Sequence, residues 1–260
     1  MSSNSENLLV ALALFLVALP LGSFFNVVAY RLPRGQTPWS PSRSHCPNCD
    51  AQISARDNLP VLGWLLLRGK CRNCGNPISW RYPAFELITA ILFAACGLKF
   101  GWHLPLVPAL LFVSTLVIVA NSDLDMRIVP NQVIFISLLT GVVAQALAYP
   151  DLWLTWTLSA VIAFSVMFLV ALAYPRGMGM GDVKLAAVMG LYLGRSVAPA
   201  MFLAFVLGTI VGLGVIALRG VAEGRKTALP FAPFMAIGGV FGLFWGEDVI
   251  HWYLDTFTQQ

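Results

Sequence analysis

Charge is scarce in this chain. Of its 260 residues only 11% are Asp, Glu, Lys or Arg, while 58% are hydrophobic. A soluble domain carries about 25% charged residues, so the scarcity excludes an ordinary soluble fold and points to an integral membrane protein. Strand-length alternation is also missing, as are low-complexity tracts and any apparent internal repeat, which leaves an all-α reading. No glycine-rich fingerprint follows a β-strand, so a Rossmann-type nucleotide site is not expected. No basic stretch precedes the first apolar run. Glu6 stands there and residues 7–30 are uncharged throughout, which argues against a removable signal peptide. The formal charge of +4 is small but uneven: residues 31–81 hold eight of the sixteen Lys and Arg and only two acids. A basic loop beside an apolar span records membrane topology, so nucleic acid is not expected as a partner.

What the chain has instead is long apolar runs. Segments 7–30, 104–122, 130–149, 152–174, 196–218 and 227–246 approach or exceed the roughly 20 residues that cross a hydrocarbon core of about 30 Å. Two shorter runs, 87–98 and 183–194, are further candidates. With eight spans and the amino terminus outside, the cytoplasmic loops collect fourteen Lys and Arg and the outer loops two, Lys99 and Arg195; with six spans the division is twelve to four. The positive-inside bias favours eight. The expected organisation is a polytopic helix bundle: a first transmembrane helix (1–30), a cytoplasmic loop (31–82) and a membrane core (83–260). Pro83 before Glu86 suits a first helical turn, and Pro130 similarly opens a span. Glycines at 208–214 and 238–242 suggest close helix–helix approach in lipid.

Cys46-Pro-Asn-Cys49 and Cys71-Arg-Asn-Cys74 are two C-x2-C pairs separated by twenty-one residues. Four thiolates at this spacing match a tetrahedral Zn²⁺ site, each pair supplied by a tight turn. Disulfides would need an oxidising compartment, which the basic loop opposes, and a thioredoxin-like motif would need a βαβ pattern. Four cysteines leave no open coordination position, so the zinc is expected to be structural, folding a loop too small to build its own core. His45 reads as a surface residue beside the first pair, and Cys96 as a small buried residue in an apolar helix.

Two acidic clusters stand at the ends of apolar runs. Ser122-Asp123-Leu124-Asp125 closes one, and Asp182 follows Gly177, Gly179 and Gly181 where another begins. Two apolar segments lie between them, so a chain that crosses twice brings both clusters to the same side. Carboxylates near membrane depth are expensive and usually functional. A pair sharing one proton can hydrolyse a peptide bond: the ionised member takes a proton from water while the neutral one polarises the carbonyl. Asp182 supplies one member. Asp123 or Asp125 supplies the other, because residues two apart on a helix face nearly opposite ways; local chemistry does not choose between them. Gly179 and Gly181 add no side chain and permit unusual backbone angles, which would let a substrate approach. Lys184 reads as a boundary residue.

Taken in order, these stretches resemble type IV prepilin peptidases. The matching segments are Gly22-Ser-Phe-Phe-Asn-Val-Val-Ala-Tyr-Arg-Leu-Pro33, the paired cysteines, Asn58-Leu-Pro-Val-Leu-Gly-Trp-Leu65, Arg81-Tyr-Pro-Ala-Phe-Glu86, Asp123-Leu-Asp-Met-Arg-Ile-Val-Pro130 and Gly179-Met-Gly-Asp-Val-Lys184. The last is also similar to the G-x-G-D signature of presenilin-type intramembrane proteases. The resemblance implies that Asp123 and Asp182 are the catalytic pair, and that the enzyme removes the short leader of type IV prepilins and type II secretion pseudopilins. It implies cleavage at the cytoplasmic face of the bacterial inner membrane, followed by methylation of the new amino terminus with S-adenosyl-L-methionine. The methyltransferase function is attributed to the amino-terminal part with its cysteine loop, where Asn26, Arg81 and Glu86 could line the substrate or methyl-donor region. Ser122 stands where the family usually has an apolar residue. The rival reading is a zinc-loop membrane transporter or scaffold whose aspartates bind protons or cations.

Overall fold

A computed structural model of the chain describes residues 3–40, 44–174, 178–220 and 229–257. Gly177 of the glycine series lies outside the described residues, as do the first two positions of the predicted span 227–246. Among the described residues the structure is helical, with two single-residue antiparallel bridges in place of any sheet. The helices are α1 (Ser3–Arg31), α2 (Leu62–Leu66), α3 (Arg81–Phe100), α4 (Leu106–Met126), α5 (Asn131–Ala148), α6 (Trp153–Ala173), α7 (Met180–Leu193), α8 (Val197–Arg219) and α9 (Ala232–Phe257). Among the described residues seven stretches are long and apolar enough to cross a membrane, and one of them, Met180–Arg219, contains both α7 and α8. The protein is thus a multi-pass membrane protein.

The chain divides into two compact units, Met1–Leu106 and Val107–Gln260. In the first, α1 and α3 pack antiparallel: Asn7 donates to the Leu98 carbonyl (3.1 Å) near one end, and Asn26 to the Tyr82 carbonyl (3.1 Å) near the other. Small residues allow the approach. A Cβ on Gly97 would stand 2.9 Å from the Ala11 Cα, and one on Gly22 would stand 2.8 Å from the Glu86 Cα. The sequence allowed α3 only the twelve uncharged positions 87–98, yet it runs from Arg81 to Phe100. Glu86 can lie inside it because its carboxylate accepts a hydrogen bond from the Val61 backbone N–H at 2.7 Å, so the charge is not left unsatisfied. The sequence division grouped α3 with the membrane core that follows, whereas its packing places it with α1.

In the second unit, contacts between helices fix their directions. Lys184 meets Asn131, and Tyr192 packs on Gly141, so α7 runs parallel to α5. Gly190 lies on the Ser159 carbonyl and Gly194 against Thr155, so α7 runs antiparallel to α6. Gly246 approaches Ser196 and Gly238 the Ala200 carbonyl, which makes α8 antiparallel to α9. Asp123 meets Ala232 while Phe112 and Leu116 meet Gly239, which makes α4 antiparallel to α9 as well. The stretch Met180–Arg219 therefore turns back at Gly194–Ser196, where Gly194 takes φ +56°. It traverses the unit twice, in agreement with about eight spans. At 14 residues α7 is about 21 Å long, short for a span. It is also the centre of the unit: Val183, Leu185, Ala186, Val188 and Met189 are fully buried. Of the predicted close-approach glycines, Gly238 and Gly242 do meet a neighbouring helix, whereas Gly212 and Gly214 meet nothing nearer than 4.0 Å.

Candidate functional site

The end of the second unit where α7 begins gathers the carboxyl end of α4, the turn 127–130 and the amino ends of α5 and α9. The G-x-G-D stretch owes its form to the start of α7. Gly179 is the N-cap (φ −80°, ψ 146°) and Asp182 the third helical residue. The Asp182 N–H donates to the Gly179 carbonyl at 3.1 Å, and the Asp182 carboxylate accepts the Gly179 N–H in return. That reciprocal bond is a capping arrangement, and it sets a carboxylate against the positive end of the helix. Neither Gly179 nor Gly181 has a positive φ, so the unusual backbone angles expected of them are not what the fold uses. Gly181 is instead a point of close approach: a Cβ there would stand 2.7 Å from the Val129 Cβ.

Asp123 lies in the last turn of α4, 5% exposed, and its Oδ2 accepts the Ala232 N–H at the start of α9 at 3.1 Å. Asp125, two residues on, is exposed; the 200° between them on a helix sends one inward and the other out. The structure brings Asp123 and Asp182 together, close enough for their charges to interact directly. The turn that follows Asp123 is held tightly. Arg127 adopts φ +55° and its N–H donates to the Asp123 carbonyl at 2.9 Å, while the fully buried Ser122 hydroxyl donates to the Ile128 carbonyl at 2.7 Å. Pro130 then serves as N-cap of α5 rather than its first helical residue. Lys184 donates to Asn131 Oδ1 at 2.9 Å, tying the starts of α7 and α5.

In the first unit, the sulfurs of Cys46, Cys49, Cys71 and Cys74 all lie within 4.8 Å of one another. The Cys46 and Cys74 sulfurs are 3.8 Å apart, which is about the S–S edge of a tetrahedron with Zn–S bonds of ~2.3 Å. The donor set therefore fits a closed four-thiolate metal site, and His45 is not part of it. The Cys71 sulfur accepts the backbone N–H groups of Cys74 and Asn73, which favour its thiolate form. The two knuckles are copies of one unit, against the expectation of no internal repeat. Cys46 N–H bonds to the Ala51 carbonyl as Cys71 N–H does to Asn76, and Ile53 N–H bonds to Ser44 as Ile78 N–H does to Gly69. Only the cysteines, Asn48/Asn73 and Ile53/Ile78 recur in sequence. Arg72 adds a bidentate pair to Asp57 (2.6 and 2.8 Å), whose hydrogen bonds hold the Asp57 carboxyl down at about 2.

Asn26 and Glu86 sit together where α1, α3 and the loop meet. Asn26 bonds the Tyr82 carbonyl, and Glu86 takes the Val61 N–H and the Ser23 hydroxyl. Arg81 opens α3. The bonds of Asn26 and Ser23 join α1 to α3 and that of Val61 joins α3 to the loop, and nothing in them selects a methyl donor. Cys96 is fully buried in α3, as expected.

Comparison with known proteins bears on both units. Residues 16–100 match the Bacterial Peptidase A24 N-terminal domain, and residues 110–213 match the Type IV leader peptidase family. A prepilin leader peptidase/N-methyltransferase of Bacillus subtilis (strain 168) is 36% identical over 242 residues, covering 93% of this chain and 96% of its own. The chain belongs to the type IV leader peptidase family. Similar proteins of the same description from Aeromonas hydrophila (35% over 285 residues, 94% and 93% covered) and Legionella pneumophila (33% over 277 residues, 92% of each) extend the likeness across nearly the full length. No solved structure matches the chain.

Within this leader peptidase chain the fold adds three residues to the site that the motifs did not single out for it. Ala232 contributes a backbone N–H to Asp123 from 109 residues away. Val129 is the surface on which Gly181 rests. Ser122, noted in the sequence only as a departure from the family, closes the turn after Asp123. Pro230 and Pro233, which flank the first residue of α9, were the available signal for a helix start near Ala232.

Proposed function

We propose that this chain removes the short leader of type IV prepilins and type II secretion pseudopilins by aspartate-dyad hydrolysis, and then methylates the exposed amino terminus. The reading is supported above all by the meeting of Asp123 and Asp182, fifty-nine residues apart in sequence and drawn from two helices. Two facing carboxyl groups can work with one proton between them, one ionised and one neutral. The ionised carboxylate takes a proton from a water molecule, which attacks the scissile carbonyl; the neutral carboxyl donates its proton to the carbonyl oxygen. Collapse of the tetrahedral intermediate expels the leaving amine, which collects the proton first taken from water. A hydroxyl proton of the intermediate returns to the carboxylate that had donated to the carbonyl oxygen, restoring the single proton of the dyad. The Ala232 N–H fixes one oxygen of Asp123, and the Gly179 N–H steadies Asp182, so both groups are positioned before substrate arrives. Asp125, exposed on the opposite face, is left out of the dyad.

The four-cysteine cluster is assigned Zn²⁺ held by Cys46, Cys49, Cys71 and Cys74, which folds the loop and takes no part in the hydrolysis. S-adenosyl-L-methionine supplies the methyl group as a co-substrate, and Asn26, Arg81 and Glu86 remain candidates for the region beside it. The fourteen-to-two charge division of the eight-span topology puts the dyad and the cysteine loop on the cytoplasmic side of the inner membrane, with lipid around the helices. The test is mass spectrometry of a prepilin incubated with the purified protein, with and without methyl donor. The expected products are a shortened pilin and, only with donor, its mono-methylated form; an intact prepilin under both conditions overturns the proposal.

A further inference from the structure

The stretch Asn58–Leu65 belongs to neither the dyad nor the metal cluster, and it carries an apolar ridge. Leu59, Leu62, Leu65 and Leu66 are 49%, 58%, 55% and 75% exposed. Leu62, Leu65 and Leu66 share one side of α2, and Leu59 is exposed in the bend that leads into it. A single exposed leucine needs no explanation, but four in eight residues of a polar loop do.

The ridge is pinned at a definite depth. Val61, at the start of α2 with φ +61°, donates its N–H to Glu86. Glu86 is five residues into α3, about 7.5 Å along the helix axis from Arg81. Trp64 Nε1 donates to the Ile78 carbonyl at 3.0 Å, and Gly63 is seated on the Asp57 carbonyl. The first attachment holds α2 level with the opening turns of a membrane-spanning helix, and the other two fix it within the loop. At that level α3 itself exposes Leu87, Ile88 and Ile91, and its start exposes Trp80 and Tyr82. Tryptophan and tyrosine at this position mark the membrane–water interface. Arg68 and Lys70 follow the ridge and are exposed, which suits anionic headgroups.

We propose that α2 is an interfacial anchor, whose ridge Leu59, Leu62, Leu65 and Leu66 lies in the phospholipid layer beside α3 with Arg68 and Lys70 at the headgroups. The Val61–Glu86 bond sets the ridge at the level of the exposed Leu87, Ile88 and Ile91 of α3, so its occupant is the bilayer that surrounds that helix. The anchor holds the zinc knuckles against the membrane surface, since Trp64 is bonded to the second of them.

The test is photo-crosslinking of full-length protein in vesicles of phosphatidylethanolamine and phosphatidylglycerol. Leu66→p-benzoylphenylalanine is compared with Arg56→p-benzoylphenylalanine, whose site is 74% exposed by side chain. Lipid adducts are expected at position 66 in at least about tenfold excess over position 56, unchanged by added prepilin. Equal yields at the two positions, or prepilin adducts replacing lipid adducts at position 66, overturn the proposal. Hydroxyl-radical oxidation of the unmodified protein in the same vesicles supplies a reading free of any variant. Leu65 and Leu66 are expected to be oxidised at least about fivefold less than in a free peptide of the same sequence; equal oxidation overturns the proposal.

Discussion

Gly181→Ala tests whether the turn after Asp123 sets the geometry of the dyad. The added methyl would stand 2.7 Å from the Val129 Cβ and 2.9 Å from its Cγ2. Carbon atoms settle at about 3.5–4.0 Å, so α7 and the turn must separate by about 1 Å. The packing cost is of order 1–3 kcal/mol, which the fold can absorb. The catalytic cost is larger, because a 1 Å misplacement of a reacting group lowers rates by about 100-fold. In leader cleavage by protein in vesicles, kcat is expected to fall by about that factor while the helices remain folded. Two companions isolate the cause. Val129→Gly removes every Val129 side-chain atom in the way and is expected to restore at least about tenfold of the loss when combined with Gly181→Ala. Gly179→Ala, whose methyl would meet Asp182 Oδ2 at an ordinary 3.7 Å, is expected to stay within about threefold of the parent. A Gly181→Ala protein with kcat within about twofold of the parent would refute the reasoning.

Ser122→Ala removes the hydroxyl that closes the same turn, a loss of about 0.5–1.5 kcal/mol; kcat is expected to fall about three- to tenfold with KM little changed. Cys71→Ser breaks the four-thiolate cluster. Elemental analysis is expected to show loss of the metal, and limited proteolysis to cut within 44–78 while sparing the second unit, since a structural zinc contributes about 10 kcal/mol to folding such a loop. Glu86→Ala strands the Val61 N–H at a cost of about 1–3 kcal/mol; hydrogen exchange at Val61 is expected to accelerate about tenfold or more, and unchanged exchange would rule out that attachment.

The cysteine cluster was legible because a tetrahedral thiolate site imposes its own spacing on the chain, whatever the fold around it. The duplication of its knuckles was not, since four shared residues in ten, two of them ligands, fall below any pattern. The helices were legible from their apolar runs, but their ends were not. Glu86 and Glu247 look like boundaries until partners are known, and each lies within a helix, bonded to Val61 and Ser196 respectively. Helical geometry alone separated Asp123 from Asp125 but could not say which turned inward. That depends on Ala232, delivered by a helix that begins more than a hundred residues later. Likewise Gly181 was read as a backbone freedom, whereas its use is room for Val129, a contact invisible without the turn's conformation.

Leader removal by this chain requires two carboxyl groups acting together, and Asp123→Asn and Asp182→Asn test that requirement separately. Each purified variant, folded in vesicles and retaining its metal, is incubated with a prepilin and the products are weighed by mass spectrometry. Intact prepilin is expected from both variants and complete leader removal from the parent. Leader removal at the parent's rate by either variant would contradict that requirement.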